Sequence, residues 1–505
     1  MRNLFSLIGR FRRDRRGNIA IIFAIALLPI LTAVGSAVDY SLATRIRAKL
    51  QSAADAASVA AISQKSPGYA AAAAMSGNGS VDAGVTDANK FFDGNMNGIV
   101  GYTNLSRTST VTKTGIKLAS NVQFSADVPA VFMKVIGYQK LTVTGSSTSA
   151  ASLPPYLDFY LMLDVSGSMG LPSTDNEQTR LAAINPDNYA NYPTGCTLAC
   201  HFATQDVCTN SGQKYPTNNY CMGYPISRVS YNGYKQLIQN NSGHLPTAMV
   251  SGLPNSLYST LAPVSSCSAD GTDSCIQLRA DAVGYAVTQL FVTANASAKV
   301  TDQFKIGLYP FIRYLYTYFA LTSSINGSAT NSSTINYAAA NLASQLDTNA
   351  NLNLGSGGTH FENAFPSMNT IITAVGDGSA WNNTLPYVFL ITDGAQDPQV
   401  KALNGGWSGS NHATVLDPTA QCKPLKDRGI IISVLYVPYQ PIQNPNASFA
   451  GNEDGYANDN IPNIPPSLKA CASPNFFFTA NTPADITAAL NAMFKQALVT
   501  AHITN

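Results

Sequence analysis

The longest apolar run in the chain comes first. From Gly17 to Val38 no residue is charged, and Ile19 to Val38 are almost wholly apolar or small. At about 1.5 Å of rise per residue, this pattern predicts a helix long enough to cross a bilayer. Pro29 is expected to kink it without preventing insertion. Arg45 to Ala57 is Ala-rich and free of Gly and Pro, so the helix should continue outward as a stalk over residues 39–65.

Residues 66–150 carry a different pattern. Gly77 to Thr86 is rich in Gly and Ser and reads as a linker. Thr108–Thr114 and Ile116–Phe124 alternate as strands do, Val128–Gly137 suggests a short helix, and Leu141–Gly145 suggests another strand. The result is a small strand-containing α+β region, with a simple spacer as the alternative.

From residue 155 to 501, short apolar runs alternate with helical patterns. Strands are predicted at Leu157–Leu163, Phe304–Phe311, Tyr387–Thr392, Gly429–Val437 and Asn475–Ala480. Helices are predicted at Leu278–Phe291, Ile335–Leu346, Pro418–Lys426 and Pro483 to about Ala501. Strands alternating with helices argue for βαβ units and an α/β fold. The near-continuous apolar character of Gly429–Val437 is what a parallel sheet, covered on both faces, requires.

Charge adds an orientation and removes a function class. Arg2, Arg10, Arg12, Arg13, Arg15 and Arg16 against Asp14 place +5 in the first 18 residues; the whole chain is +2, which leaves −3 for the remainder. The basic tail, residues 1–18, should stay in the cytoplasm, with everything after the span of residues 19–38 exported. No basic face remains that would suit nucleic acid. A cleaved signal peptide competes with a retained anchor, because Ala33, Gly35 and Ala37 could mimic a cleavage site. The length of the apolar run favours the anchor.

All eight cysteines follow the apolar run, and an even number in an exported chain reads as a disulfide set. Cys422 and Cys471 flank the Gly429 strand and are plausible partners. Cys196, Cys200, Cys208, Cys221, Cys267 and Cys275 should staple residues 196–275. Cys200-His201 follows Cys196 with a spacer of three residues, not the two of c-type haem attachment, and no second Cys–His cluster completes a zinc site.

The candidate chemistry lies at the ends of predicted strands. Asp164-Val165-Ser166-Gly167-Ser168 puts three oxygen-bearing side chains on one turn after the first strand. Hard divalent cations prefer such donors, and Mg²⁺ is the default, with Mn²⁺ or Ca²⁺ also suited to oxygen ligands. Gly357-Gly358-Thr359 opens a predicted helix at His360, and Tyr387–Thr392 ends in Asp393-Gly394. In this order the three segments resemble the metal-ion-dependent adhesion site of von Willebrand factor type A domains. The resemblance implies a doubly wound, mostly parallel α/β sheet. It also implies metal coordination, direct or through water, by Asp164, Ser166, Ser168, Thr359 and Asp393, with a partner's carboxylate often completing the shell. The alternative is that Ser166 and Ser168 only cap the following turn. An insertion over about residues 171–275, rich in Asn, Tyr, Pro and Cys, follows the loop, and helix patterning is expected to resume only near 275. A lid, a partner-specific surface and a partial block over the site all remain open for it.

The stretch from Arg15-Arg16-Gly17-Asn18-Ile19-Ala20 to Asp55-Ala56-Ala57 resembles the amino-terminal signature of TadG-like proteins of the bacterial tight-adherence (Tad/Flp) pilus system. In that family a single amino-terminal membrane helix precedes a von Willebrand A-like region. This implies a single-pass protein of the bacterial inner membrane, with its bulk in the periplasm or cell envelope. It implies a role in pilus assembly through a protein partner, the candidates being other pilus-assembly components. A long helix followed by a small sheet is also similar to the pilin plan. Processed prepilins carry glutamate five residues after the cleavage glycine; counted from Gly17, that position is Ile22. Two other classes stand beside this reading. One is a metal-dependent adhesin that binds an external or matrix ligand without a pilus role. The other is a hydrolase using Ser166 or Ser168, but neither stands in G-x-S-x-G. His360, the histidine placed to act as a base, reads better as an exposed helix-start residue. The expectation is a binding and assembly protein, not an enzyme.

Overall fold

The computed structural model describes residues 17–184, 227–243, 264–347, 351–402, 406–442, 445 and 451–503. The chain forms two compact units, Met1–Leu153 and Pro154–Asn505.

In the first unit, α1 (Gly17–Ala60) continues through Pro29 for 44 residues. Its first half exposes Ile21, Ile22, Phe23, Ile25, Leu28 and Leu31. Beyond Asp39 the helix buries Ala43, Ile46, Leu50, Ala54 and Ala57, a stripe at helical spacing. This half packs on an antiparallel meander of β1 (Thr103–Thr114), β2 (Lys117–Pro129) and β3 (Lys140–Ser152). The Ala-rich segment expected as a stalk thus supplies the core helix of an α+β unit.

Two local expectations are corrected here. Gly77–Thr86 is no simple linker, because Gly79 and Ser80 pair with Lys113 and Thr112, and α2 (Asp82–Met96) starts within it. Gly84 serves packing: a Cβ there would lie 2.9 Å from Val111 Cγ1. Val128–Gly137 is not one helix either. Val128 and Pro129 end β2, and only Met133–Ile136 forms a 3₁₀ turn.

The second unit is mixed α/β. Its strands are β4 (Leu157–Asp164), β5 (Phe304–Phe311), β6 (Phe319–Thr322), β7 (Leu385–Thr392), β8 (Ile431–Tyr436) and β9 (Phe477–Thr479). They form one sheet in the order β9-β8-β7-β4-β5-β6, and every neighbouring pair is parallel except β5 with β6. Between β4 and β5 lie α3 (Asp175–Ile184), α4 (Tyr231–Asn240) and α5 (Arg279–Ser297). Later come α6 (Phe361–Ile371), α7 (Ile464–Cys471) and α8 (Pro483–Ile503).

Every residue of β4 is buried, which explains its mostly apolar character; Asp158 is the interior exception and accepts a hydrogen bond from the Thr384 hydroxyl (2.5 Å). Leu157, Phe159, Leu161 and Leu163 join a core with residues of α5 and α8. Tyr160 and Met162 join a second core with residues of α6 and α7. The alternation along one strand therefore feeds two packed layers. Phe159 anchors the first, with ring centroids between 5.2 and 6.2 Å from those of Phe304, Tyr387, Phe389 and Phe494.

Helical structure resumes at α3, a hundred residues sooner than the sequence pattern suggests. The chain after the Asp164–Ser168 loop leaves and returns through a paired neck. Pro172 bridges Leu278, the Ser173 amide donates to the Gln277 carbonyl (2.9 Å), and the Arg279 amide donates to the Leu171 carbonyl (2.9 Å). Helix α5 consequently begins beside the end of that loop. Cys267 is bonded to Cys275, and Cys422 to Cys471 as expected. Cys196, Cys200, His201, Cys208 and Cys221 lie outside the described residues.

Candidate metal centre

Asp164 is the last residue of β4, and Asp393 follows the last residue of its parallel neighbour β7. Both are essentially inaccessible to solvent. Two buried carboxylates therefore lie at the carboxyl ends of adjacent strands, where parallel α/β sheets generally hold ligands. Asp164 accepts hydrogen bonds from the Ser166 amide (3.0 Å) and the Thr392 hydroxyl (2.6 Å). Ser166 and Ser168 are buried with their hydroxyl oxygens 3.3 Å apart. The Ser168 hydroxyl and the Ala395 amide face the Asp393 carboxylate and favour its charge, but among the described residues neither Asp393 oxygen has a partner within strict hydrogen-bond geometry.

Thr359 is buried and pairs through its backbone with Asp397, four residues after Asp393. Its amide donates to the Asp397 carbonyl (3.0 Å), and the Asp397 amide donates back (3.1 Å), which ties the Thr359 loop to the one following β7. The preceding glycines make that approach possible. Gly357 and Gly358 have φ of 88° and 71°, and a Cβ on Gly358 would collide with the Asp397 carbonyl oxygen. Only the glycine pair suits this crossing.

Sequence reasoning missed the positive charge. Arg279, the first residue of α5, reaches Asp393 with Nη1 to Oδ2 at 3.7 Å, and its side chain is 5% exposed. Nη1 makes no hydrogen bond. An arginine opening a helix whose only other charge is Asp281 was the available signal, but the neck that brings α5 to the site is not visible in one dimension. Asp397 was missed as well, although it stands only four residues after Asp393.

Burial, reinforced by the neighbouring charge of Asp393, pushes the Asp164 carboxyl up to about 7. Burial also raises Asp393, with Arg279 opposing the rise. The Asp164 contribution to metal-free stability should fall as pH rises from 3.8, the ordinary carboxylate value, toward about 7, and then level off. The sign follows because the unfolded chain releases, within this window, a proton that the folded site retains. Thermal unfolding in EDTA across the window should show a flatter profile for Asp164→Asn. Parallel profiles would rule out Asp164 as the source.

The two carboxylates of Asp164 and Asp393 and the hydroxyls of Ser166 and Ser168 are oxygen donors of the kind that suits a hard cation. The Asp393 oxygens, faced only by loosely placed donors and the Arg279 guanidinium at 3.7 Å, fit that use. Among the described residues, no group of three or more His, Cys, Asp or Glu side chains forms an alternative metal cluster.

His360 is buried, contrary to its expected exposure, because the crossing of the Thr359 loop carries it inward. Its Nδ1 lies 2.6 Å from Glu362 Oε1, and its Nε2 lies 2.8 Å from the Gln399 carbonyl and 3.1 Å from that of Gly357. Burial pulls the imidazole down, but Glu362, the Gln399 carbonyl and the Asp397 charge outweigh it, so the net shift is upward. With acceptors facing both nitrogens, the ring is arranged as a donor to structure rather than as a base.

Comparison with known proteins matches residues 17–75 to the Flp pilus-assembly TadE/G-like family. No curated protein matches the chain. Among solved structures, the PilB minor pilin from Streptococcus sanguinis is 9% identical, covering 79% of this chain and 78% of that one at a TM-score of 0.30. The pilus adhesin SpaC from Lactobacillus rhamnosus GG is 12% identical at a TM-score of 0.31, covering 78% of this chain; this chain spans about a third of SpaC, 34%. The vWF domain of the type V pili tip protein Mfa5 from Porphyromonas gingivalis is 13% identical over 44% of this chain and 89% of that one, at a TM-score of 0.26. Similarities at these scores carry no argument about this chain. What these comparisons establish is a similarity of residues 17–75 to the TadE/G-like family of Flp pilus assembly.

Proposed function

We propose that this protein is a membrane-anchored, exported component of a tight-adherence (Flp-type) pilus assembly apparatus. In this reading it binds a protein partner through a divalent-metal-dependent site on a doubly wound, von Willebrand A-like domain. The observation that carries the binding half is the buried pair Asp164 and Asp393 at the ends of β4 and β7, beside Ser166 and Ser168. Buried like charges are costly unless a cation or a proton compensates them. Mg²⁺ is the cation of choice by ligand type, and a partner's carboxylate would complete its shell. The α1 helix would hold the protein in the inner membrane, with the basic tail cytoplasmic and the bulk in the periplasm.

The test is thermal unfolding of the detergent-solubilised chain with and without Mg²⁺ or Mn²⁺. At 100 times the dissociation constant, a bound ion stabilises by about 2.7 kcal/mol. The parent should respond and Asp393→Ala should not; an unresponsive parent removes the metal from the proposal. In cells, Asp164→Ala should abolish pili. Normal pili with lost attachment would favour the adhesin reading instead.

A further inference from the structure

We propose that the Val131–Tyr138 segment is a second membrane-contacting element, seated among lipid acyl chains and headgroups beside the α1 anchor. The proposal rests on reading Gly17–Val38 as membrane-spanning.

The segment joins β2 to β3 and reads Val-Phe-Met-Lys-Val-Ile-Gly-Tyr. Val131, Val135 and Tyr138 are 64%, 69% and 58% exposed, and Phe132 and Ile136 are exposed beside them. Lys134 is its one charged residue. The β1–β2 turn at the other end of the meander has no such surface: it consists of Thr114, Gly115, Ile116 and Lys117, and Ile116 is buried. Apolar exposure is therefore concentrated at one end of this sheet. Five large apolar side chains on one short connection form the kind of patch that marks an interaction surface.

Its position on α1 identifies the occupant. Asp39, the first charged residue after the apolar run, accepts hydrogen bonds from the amides of Val131 (3.1 Å), Phe132 (2.8 Å) and Met133 (2.7 Å). These bonds fix the height of the segment on the helix. Phe132 then packs over Gly35, where a Cβ would collide with the phenyl ring. Gly35 lies four residues inside Asp39, about 6 Å along the axis toward the membrane. The ring consequently sits level with the last turn of the uncharged stretch. Val34 and Val38 on either side remain exposed, so the apolar surface of the helix and that of the segment are continuous. A bilayer that covers one must meet the other. Tyr138 and Lys134 suit the interfacial layer, where an aromatic ring and a snorkelling amine are both accommodated. The added contact would hold the small sheet at a set depth and limit rotation about α1.

The test uses the full-length protein in lipid vesicles, labelled with a small fluorophore at an added cysteine. Three labels are compared: Val135→Cys in the segment, Val34→Cys in the anchor, and Lys117→Cys at the far turn. Quenching by an acyl-chain nitroxide lipid and by aqueous iodide is measured for each. The expected result is that positions 34 and 135 are quenched by lipid and several-fold less by iodide than position 117. Lipid quenching at 34 with iodide quenching at 135 would overturn the proposal and leave the anchor standing. Protection of 135 from both quenchers would also overturn it, in favour of a protein occupant. Absence of lipid quenching at 34 would instead reject the anchor on which it rests. Gly35→Leu, which displaces Phe132, should raise iodide access at 135 while position 34 stays lipid-quenched; no change would count against the Phe132 contact as the feature that sets depth.

Discussion

Arg279→Met should destabilise the metal-free second unit by about 3 kcal/mol near pH 8, within the range for removing one partner of a buried ion pair. The wild-type site holds two buried carboxylates and one buried guanidinium, so Arg279 is the cation on hand to offset Asp393. Without it, the site must retain protons or unfold. Protonation makes the penalty smaller at acidic pH, since burial and the neighbouring Asp393 charge push the Asp164 carboxyl up. The same substitution should strengthen the response to Mg²⁺, because the fixed cation no longer competes for Asp393. Trp381 and Trp407 are the only tryptophans and both lie in the second unit, so their fluorescence follows its unfolding selectively. Denaturant titration with EDTA or Mg²⁺ separates the two effects. An Arg279→Met protein as stable as the parent in EDTA would show that the 3.7 Å pair is electrostatically idle.

Arg279 also marks the limit of what the chain discloses in one dimension. The strands of the second unit were legible because parallel strands covered on both faces become nearly continuous apolar runs, as Leu157–Leu163, broken only by Asp158, and Tyr387–Thr392 show. Asp164 and Asp393 could be placed because each directly follows such a run. The glycines before Thr359 were legible as a motif, although the reason for both, passage against the Asp397 carbonyl, needed coordinates. What stayed hidden depends on contacts between distant segments. The paired neck at Pro172 and Leu278 brings Arg279 to Asp393 across more than a hundred residues. In the first unit, Gly84 looked like a linker residue because a packing glycine and a flexible one are spelled alike. Likewise, Arg45 to Ala57 suggested a stalk because alanine favours helix whether or not a sheet covers it.

Replacing Cys422 and Cys471 together by alanine should cost about 4 kcal/mol, against about 2.5 kcal/mol for the pair Cys267 and Cys275. The ranking follows from loop length: the first bridge closes a separation of 49 residues and the second one of 8. A longer closed loop removes more freedom from the unfolded chain. The larger bridge should also affect the candidate site. Cys471 ends α7, and Ile464 and Leu468 of that helix pack against Gly394, immediately after Asp393. Gly394 has φ of 78°, and a Cβ there would lie 2.5 Å from Ile464 Cγ2, so the helix backs directly onto the loop that carries the carboxylate. Freeing the end of α7 should loosen that backing and weaken the Mg²⁺ response; the Cys267 and Cys275 change should leave that response intact. Denaturant unfolding and metal titration of the two double variants test both parts. Equal losses of stability would mean that packing, rather than loop closure, sets each bridge's contribution. An unchanged metal response in the Cys422 and Cys471 variant would show that Ile464 and Leu468 hold the Asp393 loop without covalent help.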